Sequence, residues 1–92
     1  MAVTIAIPTA LRQYSGAQAS VSVPSGTAGE VLTALIELHP ALGKQLYNEQ
    51  GQLRSFVNIY VGDEDIRYLQ GIETAVPDGE TVSIIPAIAG GK

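Results

Sequence analysis

The sequence predicts an α+β domain in which a mixed sheet packs on one main helix. Strand-like alternation recurs in residues 3–7, 19–23, 56–61 and 81–85, towards both ends of the chain. A single amphipathic helical pattern, opened by a capping box, separates the first two of these segments from the rest. The 92 residues, 46% of them hydrophobic, are enough for one compact core but leave little room for a large internal substrate cavity.

Each element has a local cause. In Val3-Thr4-Ile5-Ala6-Ile7 the β-branched residues at 3, 5 and 7 share one strand face, and Pro8 closes the run. Tyr14-Ser15-Gly16-Ala17 reads as a turn. Ala19-Ser20-Val21-Ser22-Val23 alternates again before Pro24, so the first two strands form a hairpin. Thr27 and Glu30 stand at the N-cap and N3 spacing of a capping box. Val31, Leu32, Leu35, Ile36 and Leu38 supply the helix's apolar face, which ends near His39-Pro40 because the residue before proline is pushed out of the helical region. Leu42 and Leu46 mark a short second helix, and residues 48–52 a polar loop. Phe56-Val57-Asn58-Ile59-Tyr60-Val61 is a strong strand; Ile66-Arg67-Tyr68 is expected as a short edge strand after the turn at Gly62 to Asp65. Pro77-Asp78-Gly79 is a turn, since glycine tolerates positive φ, and residues 81–85 form the last strand.

The order β-β-α-β-(β)-β around one helix is the β-grasp, or ubiquitin-like, arrangement, in which the last strand lies centrally and the tail after it protrudes. The expected division is a β-grasp domain over residues 1–86 and a flexible C-terminal tail over 87–92.

The net charge of −4, with five basic residues spread along the chain, argues against nucleic acid and anionic membrane as partners. No apolar run approaches the roughly 20 residues that span a bilayer, and no secretory leader is read, so a cytoplasmic location is expected. The absence of cysteine removes disulfides and thiolate chemistry. His39, the one histidine, reads as a helix-end residue, and no second soft ligand exists to hold a metal. Asp63-Glu64-Asp65 reads as a solvated turn, with Arg67 pairing locally to Asp63 or Asp65. No nucleophile–histidine–acid set or phosphate loop occurs. The chain is therefore expected to be no enzyme, with no catalytic residues and no cofactor of its own.

What is left is the terminus. After Pro86 come Ala87-Ile88-Ala89-Gly90-Gly91-Lys92. Glycine lacks the Cβ that would hinder close approach, so a diglycine suits a narrow enzyme channel. Residues 87–91, fully extended, reach roughly 17 Å at about 3.3 Å each. A frayed chain end is the alternative reading of the same residues.

Together, Phe56-Val57-Asn58-Ile59-Tyr60-Val61, Asp63-Glu64-Asp65-Ile66-Arg67, Asp78-Gly79 and the closing Val82-Ser83-Ile84-Ile85-Pro86-Ala87-Ile88-Ala89-Gly90-Gly91 resemble the ubiquitin-like sulfur carriers of the MoaD/ThiS family. That family includes the small subunit of molybdopterin synthase and the thiamine carrier. With the opening residues 3–14, the stretch 56–68 looks most like the branch that feeds cysteine formation. The resemblance implies that an adenylating, ubiquitin-activating-type enzyme activates the Gly91 carboxylate with ATP and magnesium. Sulfide or a persulfide then displaces AMP to leave a thiocarboxylate. In the cysteine branch the sulfur attacks an aminoacrylate on a pyridoxal-phosphate cysteine synthase, and a zinc peptidase releases the product. By the same resemblance Gly91 bears the sulfur and Gly90 is its slim neighbour. Gly90 and Ala89 are expected to thread the channel, and the exposed strand face around Tyr60 and Pro86, with Ile88, is the candidate docking surface.

Lys92 departs from the pattern, because Gly91 as written carries an amide and no free carboxylate. Either Lys92 is removed by processing or it is foreign to the natural terminus. The alternatives to a cysteine-branch carrier are a MoaD-like small subunit of molybdopterin synthase, a ubiquitin-like protein modifier, or a plain interaction module.

Overall fold

The computed structural model describes residues 2–86. The chain enters the sheet as β1 (Ala2–Ala6), makes a 3-10 turn at Thr9–Tyr14, and returns as β2 (Ser20–Pro24). A two-residue strand β3 (Gly26–Thr27) leads into helix α1 (Ala28–Leu38), followed by helix α2 (Ala41–Leu46). Strands β4 (Val57–Val61) and β5 (Glu64–Asp65) form a tight hairpin, β6 (Ala75–Val76) pairs with β3, and β7 (Thr81–Pro86) closes the sheet. The five-stranded sheet has the order β2-β1-β7-β4-β5. The last strand is thus the central one. It runs parallel to β1, with Thr4 opposite Thr81, and antiparallel to β4, with Val57 opposite Pro86. This is the mixed β-grasp sheet expected from the sequence.

The capping box forms as the Thr27–Glu30 spacing predicts. The Glu30 N–H donates to Thr27 Oγ1 at 3.2 Å, and the Thr27 N–H donates to Glu30 Oε1 at 2.9 Å. Such a cap is worth about 1 kcal/mol. Ala28, Val31, Leu32 and Leu35 bury the inner stripe of α1. Ile36 and Leu38 fall on the flanks of that stripe, and Leu38 is exposed, so the apolar face is narrower than its sequence suggests. Opposite the helix, Val3, Ile5, Val21, Val23, Val57, Ile59, Val82 and Ile84 turn the inner face of the sheet into one buried layer. Leu42 and Leu46 from α2 and Leu11 from the first 3-10 turn close its end. Each fully buried aliphatic side chain contributes about 1.5–3 kcal/mol. Burial also pushes the Tyr47 phenol, packed against this core, above its ordinary pKa.

One element is added to the sequence reading and one expectation is corrected. The loop joining β1 to β2 holds the 3-10 turn at Thr9–Tyr14, which starts after Pro8 and sinks Leu11 into the core. Residues 66–68 form no strand: Asp65 Oδ1 accepts the Arg67 N–H at 2.8 Å and caps a 3-10 turn at Ile66–Tyr68, leaving Glu64–Asp65 as the edge strand. The Pro77–Glu80 turn does form, with Gly79 at φ +83° and the Glu80 N–H donating to the Pro77 carbonyl at 3.2 Å. Among the described residues, no helix is long and apolar enough to cross a membrane.

The packing gives a direct test. Leu35 is fully buried mid-helix, so Leu35→Ala should cost about 2–5 kcal/mol, read from the urea unfolding midpoint. A cost near 0.5 kcal/mol, the size of surface effects, would contradict the helix-on-sheet core.

Candidate functional site: the C-terminal end of the central strand

Of the functional residues expected from the sequence, Tyr60 and Pro86 are described and the rest follow Pro86 in the chain, so the surroundings of the end of β7 define the candidate site. Three features fix that end. β4 pairs with β7 as far as Pro86, and β1 holds the other edge over Thr81–Ser83. The pleat sends Val82 and Ile84 into the core, and both are buried. Pro86, with no N–H to donate, closes the ladder opposite Val57.

Pro86 follows Val82 and Ile84 to the helix side of the sheet. There it borders a hollow of about 190 Å³ lined by Ala10, Leu11, Tyr14, Gln45 and Phe56. Tyr60 lies on the opposite, open face, in a row with Ser83 and Asp65. The expectation that Tyr60 and Pro86 share one face is therefore corrected: they stand at odd and even distances from the Val57–Pro86 pair, and the pleat separates them. Ile85 is the apolar residue that joins the open face beside Asn58, and it is 46% exposed. Phe56, 42% exposed, stands at the rim of the Pro86 hollow. Sequence reasoning missed both as rim residues. Phe56 precedes the strand proper, and Ile85 sits within an apolar run that reads as all core. Ile88, Ala89, Gly90, Gly91 and Lys92 lie outside the described residues.

The strand that pairs with Pro86 is anchored by a contact the sequence did not reveal. Arg67 Nη2 donates to the Ser55 carbonyl at 2.7 Å and to the Val57 carbonyl at 2.8 Å. The expected ion pair of Arg67 with Asp63 or Asp65 is replaced by this clamp, because Asp65 spends its carboxylate on the Arg67 backbone N–H. The guanidinium thus ties the 3-10 turn at Ile66–Tyr68 to the start of β4, next to Pro86.

Elsewhere the described residues offer little chemistry. His39 is the C-cap of α1, its N–H donating to the Leu35 carbonyl at 2.9 Å. No group of three or more His, Cys, Asp or Glu side chains is placed to hold a metal ion among the described residues. A hollow of about 620 Å³ lies along α1 between Ala34, Glu37, Tyr47 and Ile72 and is wide open to solvent. No nucleophile and base meet in it.

The residue pattern matches the ThiS family over residues 5–91. The chain belongs to the ThiS family. Among its relatives, the sulfur carrier protein CysO of Mycobacterium tuberculosis is 45% identical, over 99% of this chain and all of that protein. CysO in the Amycolatopsis orientalis BexX/CysO complex superposes with a TM-score of 0.88 at 40% identity, covering 97% of this chain and 99% of that one. Small archaeal modifier protein 3 of Haloferax volcanii is 35% identical over 71% of this chain and 70% of its own length. The β-grasp architecture and the family thus agree with the sequence reading. The family match stops at Gly91, one residue before the end of this chain.

The Arg67 clamp is testable in this ThiS-family chain. Arg67→Ala leaves two carbonyls at the start of β4 without their charged donor, at a cost of about 1 kcal/mol after allowance for solvent. Hydrogen exchange should quicken in residues 55–58 and stay unchanged in α1. Uniform protection across both would contradict the clamp.

Proposed function

We propose that this chain is a sulfur carrier whose Gly91 carboxylate is adenylated and converted to a thiocarboxylate, most directly in support of cysteine formation. The single observation that carries this reading is full-length similarity to CysO joined to a family match that ends on Gly91. The central position of β7 supports it, because a strand held by β1 at its start and by β4 to its last residue gives a terminal reacting group a firm base. In this reading a carboxylate oxygen of Gly91 attacks the α-phosphate of ATP and pyrophosphate leaves. A sulfur nucleophile then attacks the acyl carbon and AMP leaves, so the carbonyl is retained and one oxygen is replaced by sulfur. The activating enzyme supplies the catalysis, and this chain supplies the acyl group.

The cysteine branch passes the sulfur to an aminoacrylate on a pyridoxal-phosphate enzyme, leaves the chain with cysteine attached at Gly91, and needs a zinc peptidase to release it. A molybdopterin synthase small subunit would instead return the free Gly91 acid. Similarity to a small archaeal modifier protein keeps a second reading in view, in which the adenylate is passed to a lysine amine of a target protein. Docking is assigned to the rim around Pro86, including Phe56 and Ile85, with Tyr60 contributing from the open face. Gly90 and Ala89 thread the channel.

Gly91 is blocked by Lys92 in the sequence as it stands, and an amide is not adenylated. The full-length chain should therefore fail to support ATP–pyrophosphate exchange by its adenylating enzyme, while a chain ending at Gly91 should support it. Equal exchange by both forms would contradict the assignment of Gly91 as the reacting residue.

A further inference from the structure

The charges of this chain are sorted along β7. Of its five Lys and Arg residues, four fall among the described residues; Arg12, Arg54 and Arg67 bond to carbonyls around the Pro86 end, and Lys44 supplies one of those carbonyls. Arg67 donates to the carbonyls of Ser55 and Val57, and Val57 faces Pro86. The Arg12 Nε donates to the Ile7 carbonyl at 3.0 Å, just past the end of β1 that runs parallel to β7. Its neighbour Leu11 lines the Pro86 hollow. The Arg54 Nε donates to the Lys44 carbonyl at 3.0 Å, and Gln45, next to Lys44, also lines that hollow.

The carboxylates are placed elsewhere. Asp63 and Glu64 follow β4 at the opposite end of the sheet, where the Gly62 N–H donates to the Thr81 carbonyl at 2.9 Å, and Asp65, opposite Tyr60, is taken up by the Arg67 N–H. Asp78 and Glu80 lie just before β7 begins. Glu30, Glu37 and Glu73 line the hollow along α1. Of the nine Asp and Glu residues only Glu49 shares a hollow with Lys44 and Arg54. The two ends of β7 are roughly 17 Å apart at about 3.3 Å per residue. That is about twice the screening length of roughly 8 Å at physiological salt. The acidic end therefore does not cancel the cationic end for a partner that touches only the latter.

We infer that Arg12, Lys44, Arg54 and Arg67 form a cationic collar that docks on an acidic protein surface surrounding the opening that admits the C-terminal residues. This rests on the proposed function, in which those residues enter a partner. A surface that takes in the chain beyond Pro86 must meet the collar at contact distance, where the cations outnumber Glu49 and Asp65. A polyanion such as nucleic acid would instead feel the whole molecule, whose net charge is −4. The segregation orients the encounter: acidic rims attract the Pro86 end and repel the β4–β5 end. No apolar docking patch does this at a distance.

Two measurements test the collar. In the first, a short Glu-rich peptide is titrated into the full chain and amide shifts are recorded by NMR. The shifts should gather at residues 7–14, 44–46, 54–57 and 67 and vanish at high salt. Absent shifts, or shifts spread over both ends of β7, overturn the collar. In the second, the association rate of the Gly91-ended chain with its adenylating enzyme is followed against ionic strength. Replacing Arg12, Lys44 and Arg54 by Gln should lower the rate about tenfold at low salt and flatten its salt dependence. Arg12→Lys with Arg54→Lys should keep both the rate and the slope, which separates charge from any loss of fold. A wild-type rate and slope in the Gln variant overturn the collar and leave the carrier function standing. An enzyme that never adenylates the Gly91-ended chain, with the peptide still mapping to the collar, overturns the function and leaves the collar standing.

Discussion

The position of β7 between β1 and β4 is the constraint on which the rest depends. A last strand at the sheet edge would be held on one side and free to fray. Here Val82 and Ile84 are locked into the core, while the backbone is paired in parallel with β1 over Thr81–Ser83 and antiparallel with β4 as far as Pro86. The strand stops at Pro86, whose missing N–H ends the ladder. A chain that offers its own terminus as the reacting group needs this kind of base, because a channel can align an acyl carbon only if the domain behind it is fixed. The Arg67 clamp and the 3-10 turn at Thr9–Tyr14 secure the neighbours of Pro86 from two sides.

Local signals in the sequence were strong and held. The Thr27–Glu30 spacing fixed the start of α1, and Pro77-Asp78-Gly79 fixed the turn into β7. Alternation located β1, β2, β4 and β7 within about a residue. Contacts between distant segments were not readable. The β3–β6 pair joins Gly26–Thr27 to Ala75–Val76 and is two residues wide, too short for any periodicity to declare it. Arg67 looked like one half of a surface ion pair because its acidic neighbours are close in sequence. Its true partners are carbonyls ten and twelve residues away, and carbonyls leave no mark on a sequence. Residues 66–68 read as strand because Ile and Tyr favour strands, but a capping Asp65 just ahead of them decided for a helical turn.

The candidate site divides in the same way. Its proposed chemistry rests on a short terminal motif that lies outside the described residues, and the match over residues 5–91 shows the family. Its surroundings were not legible in the sequence. Tyr60 and Pro86 looked like neighbours on one face, but a pleat separates them, and the rim is instead completed by Phe56 and Ile85. The charge sorting was invisible for a related reason. Arg12, Lys44, Arg54 and Arg67 are evenly scattered in the sequence and fall at one pole because β1 ends there, β4 begins there, and α2 and the turn after β5 lie beside it. A net charge of −4 conceals a cationic end on an acidic molecule.

The central claim is that Gly91, presented from the end of a rigid central strand, is the group on which sulfur is carried. Intact mass spectrometry tests it most directly. The Gly91-ended chain is incubated with ATP, magnesium, its adenylating enzyme and sulfide. The account predicts a single species heavier by the difference between sulfur and oxygen, with the change confined to the C-terminal fragment on tandem analysis. An unchanged mass beside a ladder of larger conjugates would contradict it and establish the chain as a protein modifier.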